Sequence, residues 1–376
     1  LALSVGRVLR DLQGLILVQG ILLAITWLFT HADAGDVSVQ LAWLGFLLPG
    51  WLLAGGWSGR RASLATRYTH AVIGSLGIHG WIAAIGSITN LGFGEYRMAF
   101  AGLSATLLVL RAVFLLRNPS RPRIRVPAFE AVIWASVMLI VVAVYRQPRS
   151  NDIIQFSLQQ QDMAAERSLQ PSSIGMSALG VQEAMPRWEA HLWHVLPSLI
   201  ADVTSLPVDG VLWRWAPIPI GFSAMVVLIT VVGRLAGPRV PLWAVVLAVF
   251  GPVLLWFRAY NAFNYSFRLT NSFCLDKDLC LFLLVPATIY LASRWIRGVP
   301  RTMPMLGLLV PAILKFHPMT AIYLVLLTPF VVIGYDSSWR RRIDGSIGSI
   351  AIDARGSWVR WIPSRAAMAW ILLAGM

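Results

Sequence analysis

Three polar stretches interrupt a chain that is otherwise almost continuously apolar, and they hold the side chains best suited to chemistry. The longest, residues 146–212, carries seven of the seventeen acidic residues: Asp152, Asp162, Glu166, Glu183, Glu189, Asp202 and Asp209. Asp152 follows closely on the end of an apolar run, at a depth where a carboxylate faces both water and a lipid-linked substrate, so it is the candidate general base. With Gln155 three residues on, it also has the pattern of a capping box opening a helix over 153–168. The two roles are compatible, because a capping Asp is well oriented. Asp162 is the second candidate catalytic carboxylate; with Glu166 at i+4 it also reads as a solvated acidic helix face.

The second stretch, residues 258–280, reads RAYNAFNYSFRLTNSFCLDKDLC. Arg258, Arg268 and Lys277 stand among Asp276, Asp278, amides and aromatic rings, a mixture suited to holding a phosphate and a sugar ring together. The rings Tyr260, Phe263, Tyr265 and Phe267 would equally form an interfacial belt. The third stretch is the short Lys315–Pro318 turn with His317. Of 31 basic residues only Lys277 and Lys315 are lysines, which marks two places where a compact point charge is wanted.

Metal chemistry is weakly signalled. Glu189, His191 and His194 share one turn of an expected helix, but polar positions on an interfacial helix explain them as well. No metal ligand is therefore assigned, and the need for a divalent cation stays open. Two cysteines, Cys274 and Cys280, give neither a disulfide framework nor a thiolate zinc site.

The elements that must position these residues are membrane spans. The chain is 57% hydrophobic and only 13% charged, where soluble domains carry about a quarter charged residues. Continuous rather than alternating apolar runs make the spans helical, so the expected fold is an all-α polytopic membrane protein. Spans are expected at 12–30, 38–56, 69–88, 98–116, 127–145, 213–233, 240–257, 279–296, 303–316 and 319–334, with an eleventh starting near 366. Lys315, His317 and Pro318 split the ninth from the tenth, because a lysine at a helix centre costs about 2.5–3.5 kcal/mol on insertion scales. At about 1.5 Å per residue the 303–316 run is shorter than a ~30 Å bilayer core, which places the turn below the surface, lining a protein cavity.

Alternation then puts 21 of the 31 basic and 5 of the 17 acidic residues on one side, a net of +16, and a net of −2 on the other. By the positive-inside bias the basic side is cytoplasmic, and the long loop is exocytoplasmic. The overall +14 is thus a membrane-orientation signal, and no nucleic-acid partner is implied. After Pro186 a helix is expected in the membrane interface, with Trp188, Leu192, Leu196, Leu199 and Val203 on one face and Arg187, His191, His194, Ser198 and Asp202 on the other. Beginning at Leu1 and ending at Met376 inside an apolar run, the sequence reads as a fragment.

The order of these segments resembles the GT-C superfamily of integral-membrane glycosyltransferases, which take sugar from a polyprenyl-phosphate carrier. The resemblance rests on an acidic residue early in an outer loop, on PRWEAHLWHVLPSLIADVTSLPVDGVLWRWAPIPIGF leading into a span, and on NSFCLDKDLCLFLLVPATIYLA and LKFHPMTAIYLVLL. It covers about residues 145–335. It implies a general base or metal ligand at Asp152, and a carrier phosphate held by Arg258, Arg268, Lys277 and His317, with Asp278 and Lys315 beside them. The implied acceptor is a glycan, lipid or protein, at the outer face of the cytoplasmic membrane. Residues 1–126 would form an N-terminal four-span region and 127–335 the core with its outer loop 146–212. Residues 336–376 would form a basic segment and the start of a further span.

Three other functions compete. An O-antigen ligase or polymerase would depend on outer arginines and be indifferent to Asp152. A transporter or flippase needs ionisable residues deep in its spans, where only Arg111 and Glu130, both near span ends, are expected. A membrane assembly protein fits the composition and leaves the polar loops without a task.

Overall fold

The computed structural model describes residues 2–57, 62–117, 126, 128–145, 167, 193, 195–236, 239–255, 279–296, 299, 301–316, 320–322, 324 and 326. The described residues are helical. The elements are α1 (Ala2–Thr30), α2 (Ala34–Trp57), α3 (Leu64–Thr89), α4 (Phe93–Arg117), α5 (Ala128–Tyr145), α6 (Val195–Thr204) and α7 (Val208–Gly210). A π-helical turn over Val211–Trp215 leads into α8 (Pro217–Ala236), followed by α9 (Leu242–Leu255). A second π-helical turn, Cys280–Leu284, leads into α10 (Val285–Ile296), and α11 (Thr302–Lys315) follows. Of the ten to eleven expected spans, six helices among the described residues are long and apolar enough to cross a bilayer, or seven if α6 and the bent segment after it count as one.

The bundle is organised around α3. Every residue from Thr66 to Gly80 is buried, so this helix has no lipid-facing side over four turns. It can be enclosed because its neighbours approach to backbone contact. A Cβ on Gly50 of α2 would lie 2.0 Å from the Ala71 carbonyl oxygen, one on Gly77 2.6 Å from Leu308 O, and one on Gly80 2.7 Å from Ala312 N. Small residues at such crossings let membrane helices gain van der Waals contact where no hydrophobic driving force separates helix from lipid. Hydrogen bonds add to this: Gln19 Nε2 donates to Tyr68 Oη at 2.8 Å, Tyr68 Oη and Ser223 Oγ lie 2.9 Å apart, and Trp43 Nε1 donates to Ser223 Oγ at 3.0 Å. Four helices, α1, α2, α3 and α8, thus meet at one hydroxyl pair. Helices from both sides of residue 126 share the same apolar core.

Contacts define two ends of the bundle. At one, Asp11, Arg67, Arg111, Arg234 and Arg294 gather round the start of α3, and Arg301 Nη1 donates to Gly56 O at 2.5 Å; we call it the arginine-rich end. At the other lie the α1–α2 and α3–α4 turns, Arg167 and α6–α7; this is the loop end.

Two expectations are corrected. Helix α3 begins at Leu64, not 69, because Ser63 caps it by accepting from Thr66 N and the helix carries Arg67 inside with a carboxylate partner. The interfacial helix is not interfacial in its described part: Val195 to Ala201 are all buried, including Ser198 on the supposed polar stripe. Helix α2 packs against α6, and protein covers Ser198, a position that periodicity assigned to water.

Candidate functional site

Of the candidate catalytic and substrate-binding residues, Lys315 alone is described. Asp152, Asp162, Arg258, Arg268, Lys277, Asp278 and His317 lie outside the described residues, as do Glu189, His191, His194 and, apart from Arg167, the stretch 153–168 expected to be helical. Lys315 is the last residue of α11, where the break expected from sequence falls. Phe316 follows in the last helical hydrogen bond, its amide donating to Ala312 O at 3.1 Å, and its side chain is fully buried.

The packing around Phe316 joins distant parts of the chain. Its ring centroid lies 5.8 Å from that of Trp193, in the long polar loop, and 5.5 Å from that of His79 on α3. His79 Nδ1 pairs with Tyr96 Oη at 2.5 Å. Phe46 and Phe100 stack at 5.8 Å, with Phe46 5.9 Å from His79 and Phe100 6.0 Å from Tyr96. An aromatic floor from α2, α3 and α4 therefore underlies the point where the loop and the α11 terminus meet. One hydrogen-bonded imidazole stands in that floor.

Both polar loops enter the membrane through a π-helical turn, Val211–Trp215 after the first and Cys280–Leu284 after the second. Such turns widen a helix by one residue and recur at functional sites. Trp215, at the first, slots between two glycines: a Cβ on Gly35 or Gly210 would lie 2.3 Å from its ring. Its Nε1 donates to Asp33 Oδ1 at 2.8 Å, and Arg214 pairs with Asp33 Oδ2 at 2.7 Å. Asp33 and Asp36 each accept the other's amide at 3.0 Å, a reciprocal cap on α2. Burial pushes the Asp33 carboxyl up, but the Asp36 amide, Arg214, the Trp215 N–H and the Gly35 amide together hold it below its ordinary value.

A second latch holds α6. Asp202 pairs with Arg97 at 3.0 Å and with Arg167 at 3.3 Å, and the Arg167 carbonyl accepts from Phe93 N at 2.9 Å. Arg167 has φ of 49°, Ser205 of 55°, and α6 meets the following segment at 117°. The bend thus turns the chain at the loop end and is tied there by ion pairs.

At the arginine-rich end the charges are inside. Asp11 is fully buried, Arg111 Nε and Nη2 reach its two oxygens at 3.0 Å each, and Arg67 Nη2 lies 2.8 Å from Oδ1. Sequence placed only Arg111 and Glu130 within spans; the helices α1 and α3 also take in Asp11 and Arg67. Nearby, Arg294 Nη1 donates to Tyr290 Oη at 2.9 Å, with His70 Nε2 3.3 Å from the same oxygen. Among the described residues no group of three His, Cys, Asp or Glu side chains is placed to hold a metal ion.

The sequence reading missed His79, Tyr96, Asp11 and Arg67. Polar residues recurring inside one apolar run, Arg67, His70 and His79, were the available signal. The geometry defines the chain as a helical membrane protein with a polar loop folded partly into its bundle. No family model, curated protein or solved structure matches it.

Proposed function

We propose that the protein transfers a sugar from a polyprenyl-phosphate carrier to a glycan, lipid or protein acceptor at the exocytoplasmic face of the cytoplasmic membrane. The observation that supports this reading is the packing of Trp193 on Phe316, which sets one residue of the long polar loop against the residue that follows Lys315. Asp152 removes the acceptor hydroxyl proton, with Asp162 beside it. Arg258, Arg268 and Lys277 neutralise the departing phosphate, and Asp278, Lys315 and His317 complete the polar surface. The loop end faces out and the arginine-rich end faces the cytoplasm, by the charge bias. A transporter reading draws less support. The buried Asp11, Arg67 and Arg111 stand near helix ends, whereas transport sites lie near the bilayer midplane.

The test is Asp152→Asn, assayed in membranes supplied with a radiolabelled polyprenyl-phosphate sugar and followed by release of polyprenyl phosphate. General-base catalysis supplies about 10²–10⁴ in rate, so release should fall by that order. Asn caps helices as well as Asp does, so folding is preserved. Release at the normal rate would leave Asp152 as a cap only.

A further inference from the structure

Two guanidinium groups at the arginine-rich end are held by hydroxyls, with no carboxylate beside them among the described residues. Arg234, in the last turn of α8, donates from Nη2 to Thr66 Oγ1 at 3.1 Å. Arg294, in the last turn of α10, donates from Nη1 to Tyr290 Oη at 2.9 Å, and its guanidinium lies 5.5 Å from the centroid of that ring. Both anchors are fixed from behind. Thr66 Oγ1 lies 2.9 Å from Ser63 Oγ at the cap of α3, and Tyr290, fully buried, meets His70 Nε2 at 3.3 Å. His70 stands within electrostatic range of both arginines, so α3, α8 and α10 gather the two positive charges in one place. Elsewhere the carboxylates are taken: Asp11 by Arg67 and Arg111, Asp33 by Arg214, and Asp202 by Arg97 and Arg167. Neither cation is sealed, since Arg234 is exposed and Arg294 partly exposed. Two like charges brought together without a counter-charge repel, and an anion between them removes that cost.

We propose that Arg234 and Arg294 form a surface site for the phosphate of an anionic phospholipid, where the ends of α8 and α10 meet the start of α3. The side chains select a phosphate. Each planar guanidinium is pinned through one nitrogen to a hydroxyl, which leaves further N–H groups for phosphate oxygens. The positive N-terminal end of α3 adds to their field. The position selects a lipid. Arg234, Arg294 and Thr66 all stand in the terminal turns of their helices, the level at which lipid phosphates are found. The chain that follows α8 presents apolar surface, with Val240 and Trp243 exposed at the start of α9. Basic clusters at span ends bind phospholipid headgroups in this way. A helix dipole alone would account for one cation at one C-terminus, but not for two from different helices converging on the same imidazole. The inference is independent of the sugar-transfer reading.

Dioleoyl phosphatidylglycerol, dioleoyl phosphatidylcholine and inorganic phosphate would each be titrated into the full chain in neutral detergent, with binding read by native mass spectrometry and by thermal unfolding. The expected result is retention of phosphatidylglycerol and a rise in melting temperature with that lipid alone. Arg234→Gln changes an exposed side chain, so the fold is kept, and it should weaken phosphatidylglycerol binding by about 10- to 100-fold. Arg294→Gln should do the same, and the double variant should retain the two lipids alike. Arg117→Gln removes a charge from the exposed last turn of α4, at the same end of the bundle, and should bind as the wild type does. Equal retention of the two lipids by the wild-type chain, read without any variant, overturns the proposal. So does unchanged affinity in Arg234→Gln, or an equal loss in Arg117→Gln, which would reduce the effect to overall charge. Saturation by inorganic phosphate in place of lipid overturns the lipid assignment.

Discussion

The two ends of the bundle handle charge in opposite ways. At the arginine-rich end, Asp11, Arg67 and Arg111 are sealed between α1, α3 and α4, and the shared carboxylate has no exposed surface. At the loop end the ion pairs are wetter: Arg214 and Asp33 are 54% and 35% exposed, and Arg97 and Arg167 are 42% and 59% exposed around an Asp202 that keeps 15%. What is buried there is rings, with Phe316, Trp193, Tyr96 and His79 packed beneath the surface. A sealed pair is costly to break, because the remaining charge has no solvent to turn to. A wet pair is close to neutral in energy and is easily remade. The arginine-rich end is thus built as the fixed end of the bundle, and the loop end as the one whose latches can open at little cost.

Both ends hang on α3, so the largest effect should come from separating α2 from it. Gly50→Leu drives a side chain into the Ala71 carbonyl and Ser75. Overpacking typically costs about 1–3 kcal/mol, and with a backbone carbonyl as the obstacle the cost should exceed the ~3–5 kcal/mol of breaking a buried ion pair. Thermal unfolding in detergent should show loss of the folded state at both ends at once. A melting temperature within a few degrees of wild type would mean that the helices are not in backbone contact.

Breaking the sealed end is next. Asp11→Asn leaves two buried guanidinium groups unpaired and should destabilise by about 3–5 kcal/mol. Arg67→Gln should cost clearly less, because a neutral pair remains. Equilibrium unfolding of both variants orders them, and the reverse order would make Arg67 the principal partner of Asp11.

At the loop end Asp33→Asn should cost only about 1 kcal/mol, since the pair is partly solvated. Its signature is pH dependence. The folded-state carboxyl sits below its ordinary value, so its contribution is complete above the usual carboxylate range of about 4 and is lost as pH falls through the lowered value. Unfolding measured across acid pH should show a loss in wild type that Asp33→Asn lacks; identical profiles would remove the latch from the argument. The smallest effect belongs to Arg97→Gln. It should shift stability by roughly 0.2–1 kcal/mol, and the shift should vanish in high salt. A salt-independent effect would mean that the Asp202 contact is more enclosed than its exposure implies.

Sequence alone determined that the chain lies in a membrane, that its spans are helices, and that one helix stops at Lys315 ahead of His317 and Pro318. Each is a local property: transfer of apolar side chains, satisfaction of backbone polar groups, and the cost of a lysine and a proline within an apolar run. Only the tertiary structure decided which polar residues go inside. A hydropathy window ends a span at Arg67, because it cannot register that Asp11, on another helix, will neutralise the charge. Amphipathic spacing assigned Ser198 to water, because it cannot register that the rest of the bundle encloses it. The meeting of Trp193 with Phe316 was legible in neither pattern. Burial is set by what packs against a residue from elsewhere in the chain, and spacing along one helix carries no record of its neighbours.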